Sequence, residues 1–196
     1  MAKTKDKVIV KDLATTAPKK SIFGKIFAKH SQRKMILNHM SENNIKNFLF
    51  YTNVQNILLI LENGIKLVSN QNLKKGEEYT VWTYLENNNT IGLEYDSSTR
   101  AHFWKWAIEA GLNIEEVAVI GINPQILSQT TQKDWAADKA TNIVYIYENI
   151  DIKAIEWIMV KDRKNLERIK TIVESNDLNI NVYYGEKGNI KEEVKK

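Results

Sequence analysis

Carboxylates around one predicted strand are the first residues in this sequence that could do chemistry. Glu148 follows the strand-like run NIVYIY, and Asp134 and Asp138 lie in the polar stretch just before it. A carboxylate at the end of a strand, beside a loop, can serve as a catalytic acid or base. The ordinary alternative, a solvated surface carboxylate, remains open for each of the three.

A second candidate is the segment RAHFWKW, in which basic and aromatic residues alternate. This pattern suits stacking on nucleic-acid bases combined with phosphate contacts. The residues that would make those contacts are Arg100, His102, Trp104 and Lys105. On a helix, however, the aromatic residues of this segment would also form a buried stripe with solvated bases beside it. Packing in the core is therefore the competing interpretation.

The composition excludes several classes of site. The chain has no cysteine, which rules out disulfides, cysteine nucleophiles and thiolate metal sites. Its three histidines lack a ligand-like spacing, so we expect no metal centre. The sequence contains no phosphate-binding glycine loop and no nucleophile elbow. No apolar run is long enough to span a membrane and the first residues are too polar for a signal peptide, so we expect a cytoplasmic protein.

Positive charge is concentrated at the start of the chain. Residues 1–40 hold ten Lys/Arg and two Asp/Glu, a net +8, whereas the other 156 hold 18 and 22, a net −4. Such a basic arm could bind nucleic acid, an acidic partner protein or, as a weaker alternative, an anionic membrane surface. A solvated tail that only aids solubility is the alternative without a partner.

The elements that must position these residues form a mixed α+β pattern. We expect a flexible basic arm over 1–20, an amphipathic basic helix over 21–40, one domain over 41–186 and a charged tail over 187–196. The helix could pack on the domain, bind a partner or touch a membrane surface. Within the domain, short strands alternate irregularly with a few helices, unlike a doubly wound sheet.

Two local patterns in this domain bear on the candidate site. The run FLFY predicts a strand, Thr52 or Asn53 a helix cap, and Asn63-Gly64 the end of the helix that follows. Residues 123–140 are predicted to be polar and irregular.

Three segments, in this order, resemble the DarT-type DNA ADP-ribosyltransferases. They are FYTNVQNILLILENGI at 50–65, TIGLEYDSSTRAHFWKWAIEAG at 90–111, and NIVYIYENIDIKAIEWIMVKDRKNLERIKTIV at 142–173. The resemblance covers roughly residues 45–185. It implies an ADP-ribosyltransferase-like split mixed β-sandwich with flanking helices, preceded here by the basic arm.

The resemblance also implies a ligand and a reaction. The cleft would bind NAD as a substrate, with Tyr51, Thr52, Asn53 and Tyr95 as the contacting residues. A glutamate would stabilise the oxocarbenium-like state that forms as nicotinamide leaves, and a base of a nucleic acid would accept ADP-ribose. Members of this family act in toxin–antitoxin or phage-defence settings.

This sequence departs from the family pattern at two positions. Phe50 stands where the family has a histidine, and Ile143 stands where it has the catalytic glutamate. Glu148 or Asp134 would have to supply the missing carboxylate, with Asp138 as a further possibility. An inactive module of the same fold, which binds nucleic acid or a partner protein, is the alternative. Both the active enzyme and the inactive module would have a pocket between the segment around Thr52 and the strand that begins near Ile143.

Overall fold

The computed structural model describes residues 31–67, 89–96, 103–109, 111–189 and 193–194. Contacts within the chain divide it into Met1–His30 and Ser31–Lys196. The second unit includes α1, Gln32–Glu42, so the last part of the segment 21–40 belongs to the domain. The predicted basic arm over 1–20 and the first ten residues of the helix predicted over 21–40 lie outside the described residues. The run YTVWTYL at 79–85, whose alternation predicts a strand, lies outside them as well.

Seven strands form one sheet in the order β4-β5-β2-β1-β3-β6-β7. Their bounds are β1 Phe48–Asn53, β2 Ile91–Tyr95, β3 Val117–Ile122, β4 Ala136–Asp138, β5 Ile143–Ile146, β6 Ile155–Val160 and β7 Asn181–Tyr184. Neighbouring strands run antiparallel except for the parallel pair β6 and β7. The predicted α+β class, with a mixed sheet and flanking helices, is confirmed.

Helices cover both faces of this sheet. One face carries α1, α2 (Ile57–Asn63), α4 (Pro124–Thr130) and α5 (Arg163–Ser175), and these four share a core with alternate residues of the strands. The opposite face carries α3 (Phe103–Glu109), which contributes Phe103, Trp104 and Ala107 to a second core. All six residues of β1 are buried as a result.

Local sequence signals set the ends of the helices next to the candidate site. The Asn53 side chain accepts a hydrogen bond from the backbone N–H of Gln55, which confirms the predicted cap. The helix that follows ends at Gly64, whose φ of 71° suits glycine. A Cβ at Gly64 would also lie 2.2 Å from the carbonyl oxygen of Ile150, so only glycine fits here.

The prediction of an irregular segment over 123–140 is wrong. It contains α4 and β4. Asn123 caps α4 by accepting from the backbone N–H groups of Gln125 and Ile126, and Pro124 occupies the first turn. Both residue types are preferred at those positions. Among the described residues, no helix is long and apolar enough to cross a membrane.

Candidate functional site

The sheet opens between its two central strands. β1 pairs with β3 along six residues, but it pairs with β2 only through Phe48 with Tyr95 and Leu49 with Glu94. Among the described residues, no further pairs join β1 and β2 in the ladder. We call this unpaired stretch between β1 and β2 the split. The pocket predicted between Thr52 and Ile143 stays a prediction, and β2 lies between their strands, β1 and β5.

Alternation along β1 decides which residues face which side at the split. Phe48 and Phe50 point into the core under the four helices, whereas Leu49 and Tyr51 point into the core under α3. Phe50 is therefore a buried core residue, only 5% exposed. The family's histidine position, assigned to Phe50 from the sequence, thus corresponds to a side chain on the face opposite Tyr51.

Tyr51 and Glu94 meet at the point where the strands part. The Tyr51 hydroxyl donates a hydrogen bond of 3.0 Å to a carboxylate oxygen of Glu94. The Tyr51 ring stacks on Phe103, with a centroid separation of 5.1 Å and an interplanar angle of 6°. Glu94 is half-buried, so its carboxylate has access to solvent while being held by protein. Of the residues predicted to contact a cofactor, Tyr51 is the one directed at this carboxylate.

The other residues predicted to contact a cofactor are held in local structure. Thr52 is buried, and its hydroxyl accepts from the Asn56 side chain at 3.0 Å, while the side-chain oxygen of Asn53 caps the next turn. Tyr95 packs edge-on against His39, and burial raises the pKa of its hydroxyl. Tyr95 also packs against the four-helix core, so it lies on the face opposite Tyr51. Their role in cofactor binding stays a prediction.

Ile143 opens β5 between two carboxylates on neighbouring strands. Its cross-strand partners are Glu94 on β2 and Asp138 on β4. Directly paired residues of an antiparallel ladder project to the same face. Asp138, Ile143 and Glu94 therefore form a row across three strands. Ile143, at the centre of this row, is only 3% exposed.

Asp134 and Glu148, predicted to be catalytic, hold the segment before β4. The Asp134 carboxylate accepts from the Ser31 hydroxyl at 2.7 Å and from the backbone N–H groups of Gln32 and Arg33 at 2.9 Å, so it caps α1. Glu148 accepts from the backbone N–H groups of Gln132 and Lys133, both at 2.7 Å. The structure brings these two carboxylates to one loop, but their hydrogen bonds are not to residues of the split. Their catalytic role stays a prediction.

The Asp134 carboxylate carries a shifted pKa. Partial burial acts to raise its pKa, but hydrogen bonds from Ser31, Arg33, Gln32 and Trp135 stabilise the charged form and outweigh burial. The net result is a pKa below the usual range for aspartate. The guanidinium of Arg33 reinforces the same junction, because it donates to the carbonyl oxygens of Ser128, at 3.0 Å, and Thr131, at 2.9 Å. This carboxylate therefore joins helix α1 to the sheet.

The segment predicted to bind nucleic acid divides into buried and exposed parts. Trp104 is 4% exposed, and its indole N–H donates to the carbonyl oxygen of Gly185 at 2.7 Å. Trp104 packs as a core aromatic in this structure, and its role in nucleic-acid binding stays a prediction. Lys105 is exposed and faces Glu109 at 4.0 Å. Arg100 and His102 lie outside the described residues.

A polar cleft of about 440 Å³ lies at the edge where β1 and β6 begin. Its floor is the buried Asn47, which accepts from the Trp157 indole N–H at 3.2 Å and donates to the Glu156 carboxylate at 2.5 Å. Asp96 and Tyr183 also line it. Thr52 and Ile143 do not line this cleft, nor the second one described, between α5 and β7. The polar cleft was not anticipated, because only the strand order brings these residues together.

Glu94 was also missed in the sequence. The available signal was a single charged residue inside the apolar strand segment TIGLEY. That residue becomes notable only once β2 is known to lie between β1 and β5, since this order places Glu94 beside both Tyr51 and Ile143.

Comparison with solved structures returns weak likenesses. The chain is similar to Thermosipho africanus DarTG in complex with ADP-ribose, with a TM-score of 0.45 and 14% identity. That match covers 70% of this chain and 49% of the other, so the chain spans about half the length of that protein. It is also similar to Thermus sp. 2.9 DarT in complex with NAD+ (TM-score 0.45, 9% identity, 70% and 94% covered). The chain is likewise similar to Thermus sp. 2.9 DarT in complex with carba-NAD+, with a TM-score of 0.45 and 13% identity. That match covers 70% of this chain and 93% of the other.

No protein-family model and no curated protein matches this sequence. At this level of likeness, the solved structures do not assign the chain to a family.

Proposed function

We propose that this chain binds NAD in the split and transfers its ADP-ribose to a nucleic acid. The observation that carries the proposal is the opening between β1 and β2 with a carboxylate, Glu94, at its closed end. The three segments that resemble the DarT-type transferases lie on either side of it: the first holds β1, the second β2 and the third β5. Both the order of the segments along the chain and the register of the strands therefore support an ADP-ribosyltransferase-like architecture.

An opened antiparallel pair suits an extended dinucleotide. A ligand can pair with the backbone N–H and C=O groups along a strand. The pairs Phe48–Tyr95 and Leu49–Glu94 close one end of the split. A reacting sugar at the closed end would lie near the Glu94 carboxylate, where a developing positive charge is stabilised.

The acceptor is proposed to be nucleic acid because of the charge distribution. Residues 1–40 carry a net +8, whereas the rest of the chain carries −4, so attraction to a polyanion would come from the arm. The same positive charges of residues 1–40 would also attract an acidic partner protein. A role as a toxin or in conflict with phage follows from the same proposal, and arrested growth on expression would support it.

The test uses the full chain with NAD labelled in its adenylate part, incubated with single-stranded DNA, duplex DNA or RNA. The proposal predicts release of nicotinamide and label that stays on one class of nucleic acid after denaturation. A matched chain in which the eight lysines of residues 1–30 are replaced by glutamine should lose transfer at physiological salt and keep NAD binding. Absence of both nicotinamide release and label transfer from the full chain would overturn the proposal.

A second candidate function is favoured by one specific observation. The positions that the resemblance assigns to the motif histidine and the catalytic glutamate, Phe50 and Ile143, are buried apolar residues. A protein of the same fold that binds nucleic acid or a partner protein, and catalyses no reaction, could have apolar residues at both positions. This candidate predicts a gel shift that depends on the arm, with no consumption of NAD over any incubation time.

A further inference from the structure

We propose that a cluster of basic and aromatic residues, where β6 and β7 end, binds a single-stranded nucleic acid. The cluster consists of Lys161, which follows β6, Arg163, which begins α5, and Tyr184, which ends β7. We call these three residues the Tyr184 cluster. It belongs to the domain and not to the basic arm, and it would act whether the chain transfers ADP-ribose or only binds nucleic acid.

Strand pairing brings the three side chains of the Tyr184 cluster together. β6 and β7 run parallel with Val160 opposite Tyr184, so the two strands end at the same edge of the sheet. The Lys161 ammonium lies 5.6 Å from the centre of the Tyr184 ring, and the guanidinium carbon of Arg163 lies 4.8 Å from it. Both distances are typical of cation–π contacts. One half-buried ring therefore positions two cations.

Within the described part of the chain, neither Lys161 nor Arg163 forms an ion pair with a carboxylate. The carboxylate of Asp162, between them in the sequence, accepts from the backbone N–H of Asn165 at 2.8 Å and so caps α5. Lys161 also donates to the carbonyl oxygen of Glu186, which orients the ammonium but leaves its charge. Because two like charges over one ring repel each other, a bound phosphate would lower their energy.

The charge of this stretch differs in sign from that of the rest of the domain. Residues 161–170 hold five Lys/Arg and two Asp/Glu, a net +3, whereas the rest of 41–196 holds 13 and 20, a net −7. Of the five cations, Arg163, Lys164 and Arg168 are exposed. A positive patch on an otherwise acidic domain attracts a polyanion to one defined place.

Nucleic acid fits the Tyr184 cluster better than an anionic membrane does. A site that binds a membrane surface combines basic residues with exposed apolar ones. Among the described residues, the large apolar side chains that are exposed lie outside β6, α5 and β7; they are Met35, Leu59, Ile108 and Tyr147. An exposed guanidinium that rests on an aromatic ring can bind a phosphate through two N–H groups or stack on a base. A single strand presents both phosphates and unstacked bases.

The experiment measures the binding of a labelled single-stranded DNA of about 20 nucleotides by fluorescence anisotropy over a series of salt concentrations. The wild type is compared with the double variant Lys161→Gln/Arg163→Gln. The matched control, Lys139→Gln/Lys153→Gln, removes the same charge at two exposed lysines elsewhere in the domain.

We expect Lys161→Gln/Arg163→Gln to raise the Kd about tenfold at about 0.1 M salt. The slope of log K against log salt concentration should become shallower by about 1.4, because each phosphate contact to a single strand contributes about 0.7. The control should stay within about threefold of the wild-type Kd, with the slope unchanged. At about 20 mM salt, the chain whose eight lysines of residues 1–30 are replaced by glutamine should still bind this DNA through the Tyr184 cluster.

Tyr184→Leu tests whether the ring positions the two cations. Leucine keeps an apolar side chain against the core that Tyr184 contacts. We expect the Kd to rise about threefold while the salt slope stays the same, since both charges remain but are less well ordered. Binding is measured well below the Tm of each variant. An unchanged Kd in folded Tyr184→Leu overturns the positioning role of the ring.

Two results for the double variants would overturn the proposal. The first is a folded Lys161→Gln/Arg163→Gln protein that binds DNA like the wild type. The second is an equal loss in the control, which would show that net charge alone decides binding. Binding to phosphatidylserine vesicles that needs Lys161 and Arg163, with DNA binding unchanged, would assign the Tyr184 cluster to a membrane instead. DNA binding that depends on the cluster, in a wild type that releases no nicotinamide from NAD, supports this proposal and overturns the transferase activity proposed above.

Discussion

The hydroxyl of Tyr51 donates to the carboxylate of Glu94, at 3.0 Å, at the point where β1 and β2 stop pairing. This hydrogen bond connects the two strands where the ladder between them ends. It therefore has a structural role, whatever ligand the split binds.

Replacing Tyr51 with phenylalanine should destabilise the fold by about 1 kcal/mol. Hydrogen bonds to a charged group are worth about 1.5–3 kcal/mol when buried, and partial exposure of Glu94 reduces that figure. Urea denaturation followed by tryptophan fluorescence measures the change. Tyr147→Phe, at a tyrosine that is 37% exposed, is the matched control and should stay within about 0.5 kcal/mol. Equal effects in the two variants would contradict the role given to this bond.

Asp134→Ala should destabilise the domain by about 1–2 kcal/mol, the usual cost of losing a helix cap. The carboxylate accepts from three groups at the start of α1, so its loss leaves the Gln32 and Arg33 N–H groups without this partner. Hydrogen exchange should quicken first in α1. Glu167→Ala, at an exposed carboxylate on α5, is the control and should change stability little. An unchanged free energy of unfolding in Asp134→Ala would show that α1 does not depend on this cap.

Acid should remove the contribution of Asp134. Because its folded pKa is lowered, the carboxylate binds protons less readily in the folded than in the unfolded state. Its stabilisation is complete above the unfolded pKa of about 3.9 and is lost as the pH falls through the folded pKa. The difference in unfolding free energy between the wild type and Asp134→Asn should therefore be largest near neutral pH and shrink below about pH 4. If the difference in unfolding free energy between the two proteins grew on acidification, the carboxylate of Asp134 would not stabilise the fold through its charged form.

Trp104→Phe should cost about 1–3 kcal/mol, because it leaves the buried carbonyl of Gly185 without its donor. The contacts place this tryptophan in the core, so any nucleic-acid binding by the folded variant should match that of the wild type. Lys105→Gln, on the exposed side of the same helix, should leave stability unchanged. The base-stacking interpretation would return if Trp104→Phe were neutral for stability yet weakened binding to DNA.

Much of the secondary structure could be predicted because local signals specify it. The apolar runs VAVIGI and IEWIMV form strands β3 and β6, and the run after Asp162, with apolar residues at helical spacing, forms helix α5. Helix α4 was missed although Asn123 and Pro124 are ordinary start signals, because the polar residues after them suggested a loop.

The orientation of residues around the split could not be predicted for a physical reason. β1 is covered on both faces, so all six of its residues are buried and no alternation of polarity marks its sides. A shift of one residue exchanges the faces. The predicted cleft therefore included both Phe50 and Tyr51, whose side chains lie on opposite faces of the sheet. The neighbours of Ile143 depend on strand order, which no local pattern contains.

The most direct test is a calorimetric titration of NAD into the full chain, repeated with Glu156→Gln, a change in the polar cleft that lies apart from the split. If NAD binds in the split, both proteins should give saturable heat with one site per chain and the same Kd. Binding in the split is contradicted by a folded wild type that gives no saturable heat up to about 1 mM NAD, which corresponds to only about −4 kcal/mol of binding free energy. It is equally contradicted by binding that Glu156→Gln abolishes, which would locate the dinucleotide in the polar cleft.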